Sequence, residues 1–413
     1  MRILVLSPYL PWPLYGGNVV RIYSLLRGLS GRGHEMVLLA GYDGPPLSDD
    51  HPVRMVCRDV RFYPPPSSAQ QVGRVRSALA SLLSPLPYTA AKFSGRAARR
   101  SIREILESER FDLILANFAF LAYLVPADLA RHTPMVLDEH ESEGLLYRQY
   151  LRQGGLAQRA FALLNLGKLF WYQKAFSSRI VAMLSASDRE ADFARTFLPH
   201  RVKLWTVPNG VDTNFFTPSA AENQDRPCIV FCAGFAVYRS CEAALWFTRQ
   251  VFPLIKKAIP DAELWLVGSS PPAEVRQLAE FADVHVTGTV EDVRPFYARA
   301  TVAVTPYRYA TGVMLKLFEA MASGVPLVST TIGCQGIDVR NGQHLLVADT
   351  ANTFADRVIE LLRNPGQRRA MAACARHLIE REYSWKKIVG DLEPRLADLA
   401  LKYHGSGAAG APK

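Results

Sequence analysis

Short, nearly continuous apolar runs recur along this chain, each closed by glycine, proline or a small polar residue and followed by a segment of helical length. The runs at 2–6, 36–40, 113–116, 135–137 and 179–183 do not alternate apolar with polar residues. A strand that is apolar on both faces belongs in a parallel sheet covered above and below by helices. At Pro208-Asn209-Gly210-Val211-Asp212 the chain turns, and the series starts again. Strands are expected at 229–232, Glu263–Val267, 284–287, Val302–Thr305 and 327–329, and helices at 243–259, 273–281, 293–298 and 314–322. Alternation at these lengths winds a parallel sheet through successive crossovers. The chain is therefore expected to be an α/β protein of two doubly wound parallel-sheet domains, 1–205 and 206–384.

The first half opens on one complete strand–helix–strand unit. A strand at 2–6 leads through a proline-rich loop and Tyr15-Gly16-Gly17-Asn18 into a helix over 19–30, which Gly31-Arg32-Gly33 stops before the strand at 36–40. Residues 44–90, with Pro64-Pro65-Pro66, Pro85 and Pro87, have the composition of an irregular loop or insertion. Helices are expected over 96–108, 145–177 and, near the end, 352–402, followed by a disordered Gly/Ala/Pro tail at 405–413. Phe170, Trp171 and Tyr172 on the second of these helices are expected to pack between domains, with a membrane-surface role beside Lys168 and Lys174 as the alternative.

A content of 49% hydrophobic and 21% charged residues excludes a disordered or fibrous class. The cysteines at 57, 228, 232, 241, 334 and 374 have no zinc spacing. Cys228 and Cys232, four apart in one strand, point to one buried face, as core thiols of a reducing cytoplasm do. No apolar stretch reaches the ~20 residues of a membrane span, and no cleavable leader is expected. The formal charge of +10, with clusters at Arg96, Arg99, Arg100 and Arg103 and at Arg74 and Arg76, suits a phosphorylated small molecule or an anionic membrane face, while the Arg96 cluster taken alone reads first as a solvated helix face. No nucleic-acid-binding motif accompanies it. The expected location is cytoplasmic, peripheral to the inner face of the membrane if the charge meets lipid.

Phe318-Glu319-Ala320-Met321-Ala322-Ser323-Gly324-Val325-Pro326 places one carboxylate on a helix that begins at a strand end, the side on which open α/β sheets bind nucleotides. A carboxylate accepts from two hydroxyls at once, which fits a ribose diol; the plainer reading is an acid that offsets its helix dipole. Thr311-Gly312-Val313-Met314 opens this helix with backbone N–H groups able to face a diphosphate. Lys316, one turn in, is either a phosphate cation or a solvated lysine. Gly16-Gly17 lets the backbone approach a phosphate or sugar. Asn18 and Arg21 begin the helix that follows.

The ordered set Gly16-Gly17, Gly33-His34-Glu35, Val207 to Asp212, Leu266-Val267-Gly268, Val286-Thr287-Gly288-Thr289-Val290 and Phe318 to Pro326 resembles the large family of retaining GT-B glycosyltransferases of the group 1, family 4 type. The segment from Gly234 to Phe247, followed by Arg308, is similar to a bacterial exopolysaccharide-associated subgroup. The resemblance covers nearly the whole chain. It implies two Rossmann-like domains facing one cleft, the first for the acceptor and the second for a nucleoside-diphosphate sugar. A helix over 385–404, entered at Tyr383-Ser384-Trp385, would cross back to the first domain. The implied donor-binding set is Gly16, Gly17, Gly234, Val290, Thr311, Gly312, Val313, Met314 and Glu319, with Val290 in a loop whose backbone meets the base. Asn18, Arg21, Asn117 and His140 fall on the acceptor side. His140, in Asp138-Glu139-His140-Glu141, is a candidate catalytic group or else a surface-loop histidine. His34 is expected to be structural.

This sequence departs from the family twice. Thr311 stands where a glutamate normally touches the transferred sugar, and Phe235 and Ser240 stand where arginine and lysine normally meet the phosphates. Arg308, Arg239 and Lys316 are the candidate replacements for neutralising the leaving group. The implied activity is transfer of a sugar from a nucleoside-diphosphate sugar to a hydroxyl of a glycan or lipid-linked acceptor in polysaccharide or glycoconjugate synthesis. It would proceed with retention, without metal or other cofactor. The alternative is a catalytically degenerate scaffold that binds nucleotide or assists a glycan-synthesis complex.

Overall fold

The computed structural model describes residues 1–65, 84–93, 95–140, 142–219, 226–309 and 312–407. Arg74, Arg76, Glu141, Thr311 and the tail at 408–413 lie outside the described residues. The chain forms two compact units, Met1–Pro208 with Val389–Lys413, and Asn209–Ile388.

The first unit is built on seven parallel strands: β1 (Arg2–Ser7), β2 (Glu35–Gly41), β3 (Asp59–Tyr63), β4 (Leu113–Asn117), β5 (Met135–Glu139), β6 (Ala182–Ser185) and β7 (Lys203–Thr206), in the order β3-β2-β1-β4-β5-β6-β7. Leu4 lies between Val37 and Ile114 in register, and all three are fully buried. Burying each such side chain contributes about 1.5–3 kcal/mol, which is why the run at 2–6 takes the centre of the sheet. Because the order reverses at β1, right-handed crossovers send the helix Gly17–Ser30 to one face and the helices that follow β3, β4 and β5 to the other. The last helix, Trp385–Gly407, packs on Gly17–Ser30 from Val389 onward; a Cβ on Gly28 would come within 2.6 Å of Val389 Cγ2. His34 is structural: its Nδ1 meets the chain's N-terminus and its Nε2 meets Glu393, both at 3.1 Å.

Four expectations need correction here. The segment 44–90 contains a helix, Pro52–Val56, and the edge strand β3. The Asp59 and Arg61 of that strand carry charges that suit a sheet edge, and the surrounding prolines mask the pattern. The helix expected at 145–177 is two, Glu143–Gln153 and Leu156–Ser177, because the chain breaks at Gly154, where a Cβ would stand 2.5 Å from the Tyr150 carbonyl. Phe170 and Trp171 are 61% and 68% exposed, and of the three aromatic residues only Tyr172 turns inward. The last helix runs to Gly407, past the expected start of the tail.

The second unit has six parallel strands: β8 (Cys228–Cys232), β9 (Glu263–Val267), β10 (Val284–Val286), β11 (Val302–Thr305), β12 (Leu327–Ser329) and β13 (Leu346–Val347), ordered β10-β9-β8-β11-β12-β13. Its core joins Phe231, Phe235, Phe247 and Phe354, all at most 1% exposed. The helix expected at 243–259 starts earlier, at Tyr238, and widens into a π turn over Phe247–Val251 before Phe252–Ala258. Pro253 lacks the N–H that would continue the α-helical ladder, so the bonding register slips there.

Candidate functional site

In the second unit the strand order reverses between β8 and β11, and open α/β sheets take ligands at the carboxyl ends of strands at such a point. There the helix Leu315–Ala322 follows the end of β11. Its entry residue Met314 is extended and lends no side-chain cap, and Leu317 N–H turns back to the Met314 carbonyl at 3.1 Å, so the N–H groups before it are the ones that can face an anion. The i, i+3 spacing puts Lys316 and Glu319 on one side of the helix. Lys316 Nζ is 2.9 Å from both Glu319 carboxylate oxygens, and the Tyr297 hydroxyl is 3.4 Å from Glu319 Oε2. Burial lowers the affinity of Lys316 for its proton, but the adjacent Glu319 carboxylate more than offsets this and holds the ammonium above its ordinary pKa. Burial pushes the nearby Cys232 thiol up to about 12, which removes it as a nucleophile. Burial likewise raises Tyr297, which stays a neutral donor.

Glycine serves the strand ends in one specific way. Gly268 has φ +149°, and a Cβ there would lie 1.7 Å from the Ala233 carbonyl oxygen, so the turns that close β8 and β9 can press together only with glycine at this position. Phe235 N–H then donates to the Ser269 carbonyl at 2.9 Å. Gly234 stays open above: a Cβ would meet Ser269 Oγ no closer than 3.8 Å. Gly312 is equally open, while Val313 touches the loop at Gly336. Val290 packs partly buried against the cluster of Phe318 and Met321, just after the Gly288 turn at φ +71°.

The phosphate-side positions come out unevenly. Phe235 is 1% exposed and packs edge-on to Phe231, so no charge acts from that position. Arg239 is half-buried and close enough to Tyr307 to influence its ionisation. Arg308 donates through Nε to Glu242 Oε1 at 2.9 Å, with its guanidinium over Trp246 at 5.5 Å and Tyr309 at 5.9 Å. Glu242 was not singled out by the sequence analysis; a carboxylate one turn after Arg239 was its only sequence signal. Tyr297, also missed, has no motif around it.

The first unit gathers its own polar group at the ends of β1, β4 and β5. Asn117 Nδ2 donates to the Leu6 carbonyl at 2.9 Å, which leaves Asn117 Oδ1 to accept from His140 Nε2 at 3.0 Å. Asp138 Oδ2 lies 3.4 Å from the same nitrogen. Two acceptors at Nε2 place a ring proton there; Nδ1 is buried and has no hydrogen-bond partner among the described residues. Phe118, at φ +70°, stacks on His140 with centroids 4.3 Å apart. The surface-loop reading of His140 is therefore replaced by a buried, oriented imidazole. Arg21 does not reach an acceptor surface either: it is 1% exposed, binds Asp138 through both Nε and a terminal nitrogen, and donates to the Val207 carbonyl at 2.9 Å. Burial favours a neutral Asp138, but Arg21 and His140 overcome it and hold the carboxyl below the usual range. Gly16, Gly17 and Asn18 lie at the uncapped start of Gly17–Ser30, with both glycines exposed.

Two family models match nearly end to end: Glycosyltransferase Family 4 over 15–215, and Glycosyl transferases group 1 over 226–364. The chain belongs to the group 1, family 4 glycosyltransferases. A Klebsiella pneumoniae protein described as an uncharacterized 44.6 kDa protein in the cps region is 21% identical to this glycosyltransferase, across 95% of this chain and 98% of that one. A GDP-mannose-dependent monoacylated alpha-(1-6)-phosphatidylinositol monomannoside mannosyltransferase from Corynebacterium glutamicum is 30% identical over 45% of this chain and 53% of its own length. Among solved structures, sucrose-phosphate synthase from Thermosynechococcus elongatus superposes with a TM-score of 0.70 at 18% identity, covering 97% of this chain and 99% of that one. Anabaena HepE in complex with UDP-glucose gives 0.67 at 13% identity, covering 96% and 100%. The glycosyltransferase has the GT-B fold, with two parallel α/β sheets of seven and six strands.

Proposed function

We propose that this glycosyltransferase moves a sugar from a nucleoside diphosphate to a hydroxyl of a glycan or lipid-linked acceptor, with retention and without a metal, in bacterial polysaccharide or glycoconjugate synthesis. The observation that carries the reading is Glu319, fixed by Lys316 beside the uncapped start of Leu315–Ala322 at the carboxyl ends of β8 and β11. In this reading the carboxylate takes the ribose diol and the helix N-terminus takes the diphosphate. Arg308, Arg239 and Lys316 answer the charge that grows as the glycosidic bond breaks. The departing phosphate oxygen accepts the proton of the attacking hydroxyl on the same face of the sugar, which preserves the anomeric configuration. The first unit takes the acceptor, with His140 and Asn117 holding the strand ends in place. Two similar proteins lend support: one is GDP-mannose-dependent, and HepE holds UDP-glucose.

The buried Phe235 and the Glu242 clamp on Arg308 favour a second reading, a nucleotide-binding scaffold without catalysis. One experiment separates the two. UDP-, GDP-, ADP- and dTDP-linked sugars are screened by thermal shift, where a ligand at a hundred times its Kd stabilises by about 2.7 kcal/mol. The hit is then assayed for nucleoside diphosphate release. Release that persists in EDTA and disappears in Glu319→Ala is expected; binding with no release in any condition assigns the scaffold.

A further inference from the structure

The helix Leu156–Ser177 carries two apolar stripes, and the fold uses one. Ala162, Leu169, Tyr172 and Phe176 turn into the core of the first unit. Leu156, Leu163, Phe170 and Trp171 stand in solvent on the other side, at 88%, 64%, 61% and 68% exposure. Leu156, Leu163 and Phe170 recur every seventh residue, which aligns them along the helix. Gly167 continues the stripe with nothing near its Cβ position. An uninterrupted apolar stripe on a surface helix marks a place where something docks.

The charge pattern identifies what covers it. Leu156–Ser177 contains Arg159, Lys168 and Lys174 and no acidic residue. Lys174 stands at the edge of the stripe, its ammonium 5.9 Å from the Trp171 ring. The helix Arg96–Ser108 covers the same face of the sheet, since Ala119–Leu124 packs against both, and it adds the exposed Arg96 and Arg99. A second copy docking by this stripe would set like charges together with no acid on the helix to answer them. An anionic lipid surface offers apolar depth to tryptophan and phenylalanine and negative headgroups to the lysines. Among the described residues no helix is long and apolar enough to cross a membrane, so this one lies along it.

We propose that Leu156–Ser177 seats the first unit on an anionic bilayer, with Leu156, Leu163, Phe170 and Trp171 entering the interface and Lys174 at its rim. This deepens the lipid-linked acceptor reading and rests on it for its purpose, while the binding stands on the helix alone. The test is co-sedimentation of the full chain with phosphatidylcholine vesicles, with and without phosphatidylglycerol. Wild type is expected to bind the anionic vesicles and to be released by salt. Phe170→Ser/Trp171→Ser is expected to weaken binding by at least about tenfold, and Lys174→Glu by roughly tenfold, with Tm unchanged in both. Nucleotide release in vesicle-free solution should be the same in all three proteins, and its absence from all three would bear on the transferase reading, not on docking. Equal binding to both vesicle types, equal binding by wild type and Phe170→Ser/Trp171→Ser, or a wild-type dimer that this double variant splits, overturns the proposal.

Discussion

Lys316 holds the carboxylate of Glu319 symmetrically, with Nζ 2.9 Å from each oxygen. An ammonium used this way occupies one lone pair on each oxygen and leaves the others for two incoming hydroxyls, the one at Oε2 displacing the long contact from the Tyr297 hydroxyl at 3.4 Å. The pair is only partly exposed, at 34% and 14% of its side chains, so it is more than a solvated surface contact. Lysine and glutamate are thus one device: the cation aims the acceptor.

The two members should fail differently. Glu319→Ala removes two charge-assisted hydrogen bonds to the diol, each worth about 1.5–3 kcal/mol, so calorimetric affinity for the nucleoside diphosphate should fall at least about a hundredfold. Lys316→Met leaves the carboxylate unpaired, and the protein should lose about 1–3 kcal/mol of stability with a smaller loss of affinity. Equal affinity losses in the two variants would show that the lysine itself binds the ligand.

Arg308 is bound to Glu242 while resting over Trp246. If it acts on the leaving group, Arg308→Ala should lower kcat by about 10²–10³ with little change in KM. Glu242→Gln keeps the shape and frees the guanidinium, so it should change kcat in the same assay and leave the unfolding free energy within about 0.5 kcal/mol of wild type. A Glu242→Gln enzyme with wild-type kcat would reduce Glu242 to a surface partner.

The parallel strands could be read from the chain because each is buried on both faces; Glu263–Val267, Val302–Thr305 and the strand at 327–329 have the expected bounds. The edge strands β3 and β7 could not. Their burial is partial, Asp59 and Arg61 interrupt the first and Lys203 opens the short second, so neither periodicity nor apolarity marks them. The site divides on the same principle. Glu319 was legible because glycine, proline and small residues frame it. Glu242, Tyr297 and the Asp138–Arg21 pair act through partners up to 117 residues away, and such pairings belong to topology. His140 and Asn117 were each picked out on their own, but their meeting at 3.0 Å follows only from β4 lying beside β5.

Arg21 and Asp138 are 1% and 0% exposed, and removing either partner strands a buried charge. Arg21→Ala should therefore cost about 3–5 kcal/mol in denaturant unfolding. The acid response follows from the depressed carboxyl of Asp138. Its stabilisation is present above the ordinary aspartate value of about 3.9 and is lost as pH falls through the lower folded value. The gap in stability between wild type and Asp138→Asn should be full at neutral pH and should close only below about pH 4. A constant gap down to the acid transition would mean that Asp138 is not ionised in the fold.

Glu143 has the opposite sign. It begins the helix Glu143–Gln153, its Oε2 is buried with no partner among the described residues, and burial raises its carboxyl above the ordinary glutamate range despite a hydrogen bond from Thr89. Neighbouring Glu139 is raised further by burial and by Glu143 itself. A raised acid stabilises the fold fully below the unfolded value of about 4.3 and loses that contribution as pH rises through its folded value. Glu143→Gln copies the protonated form in shape and hydrogen bonding. It should raise Tm at pH 7 and have no effect near pH 4, which thermal unfolding across that range would record. A Tm at pH 7 at or below wild type would show that Glu143 is ionised and solvated in the folded protein.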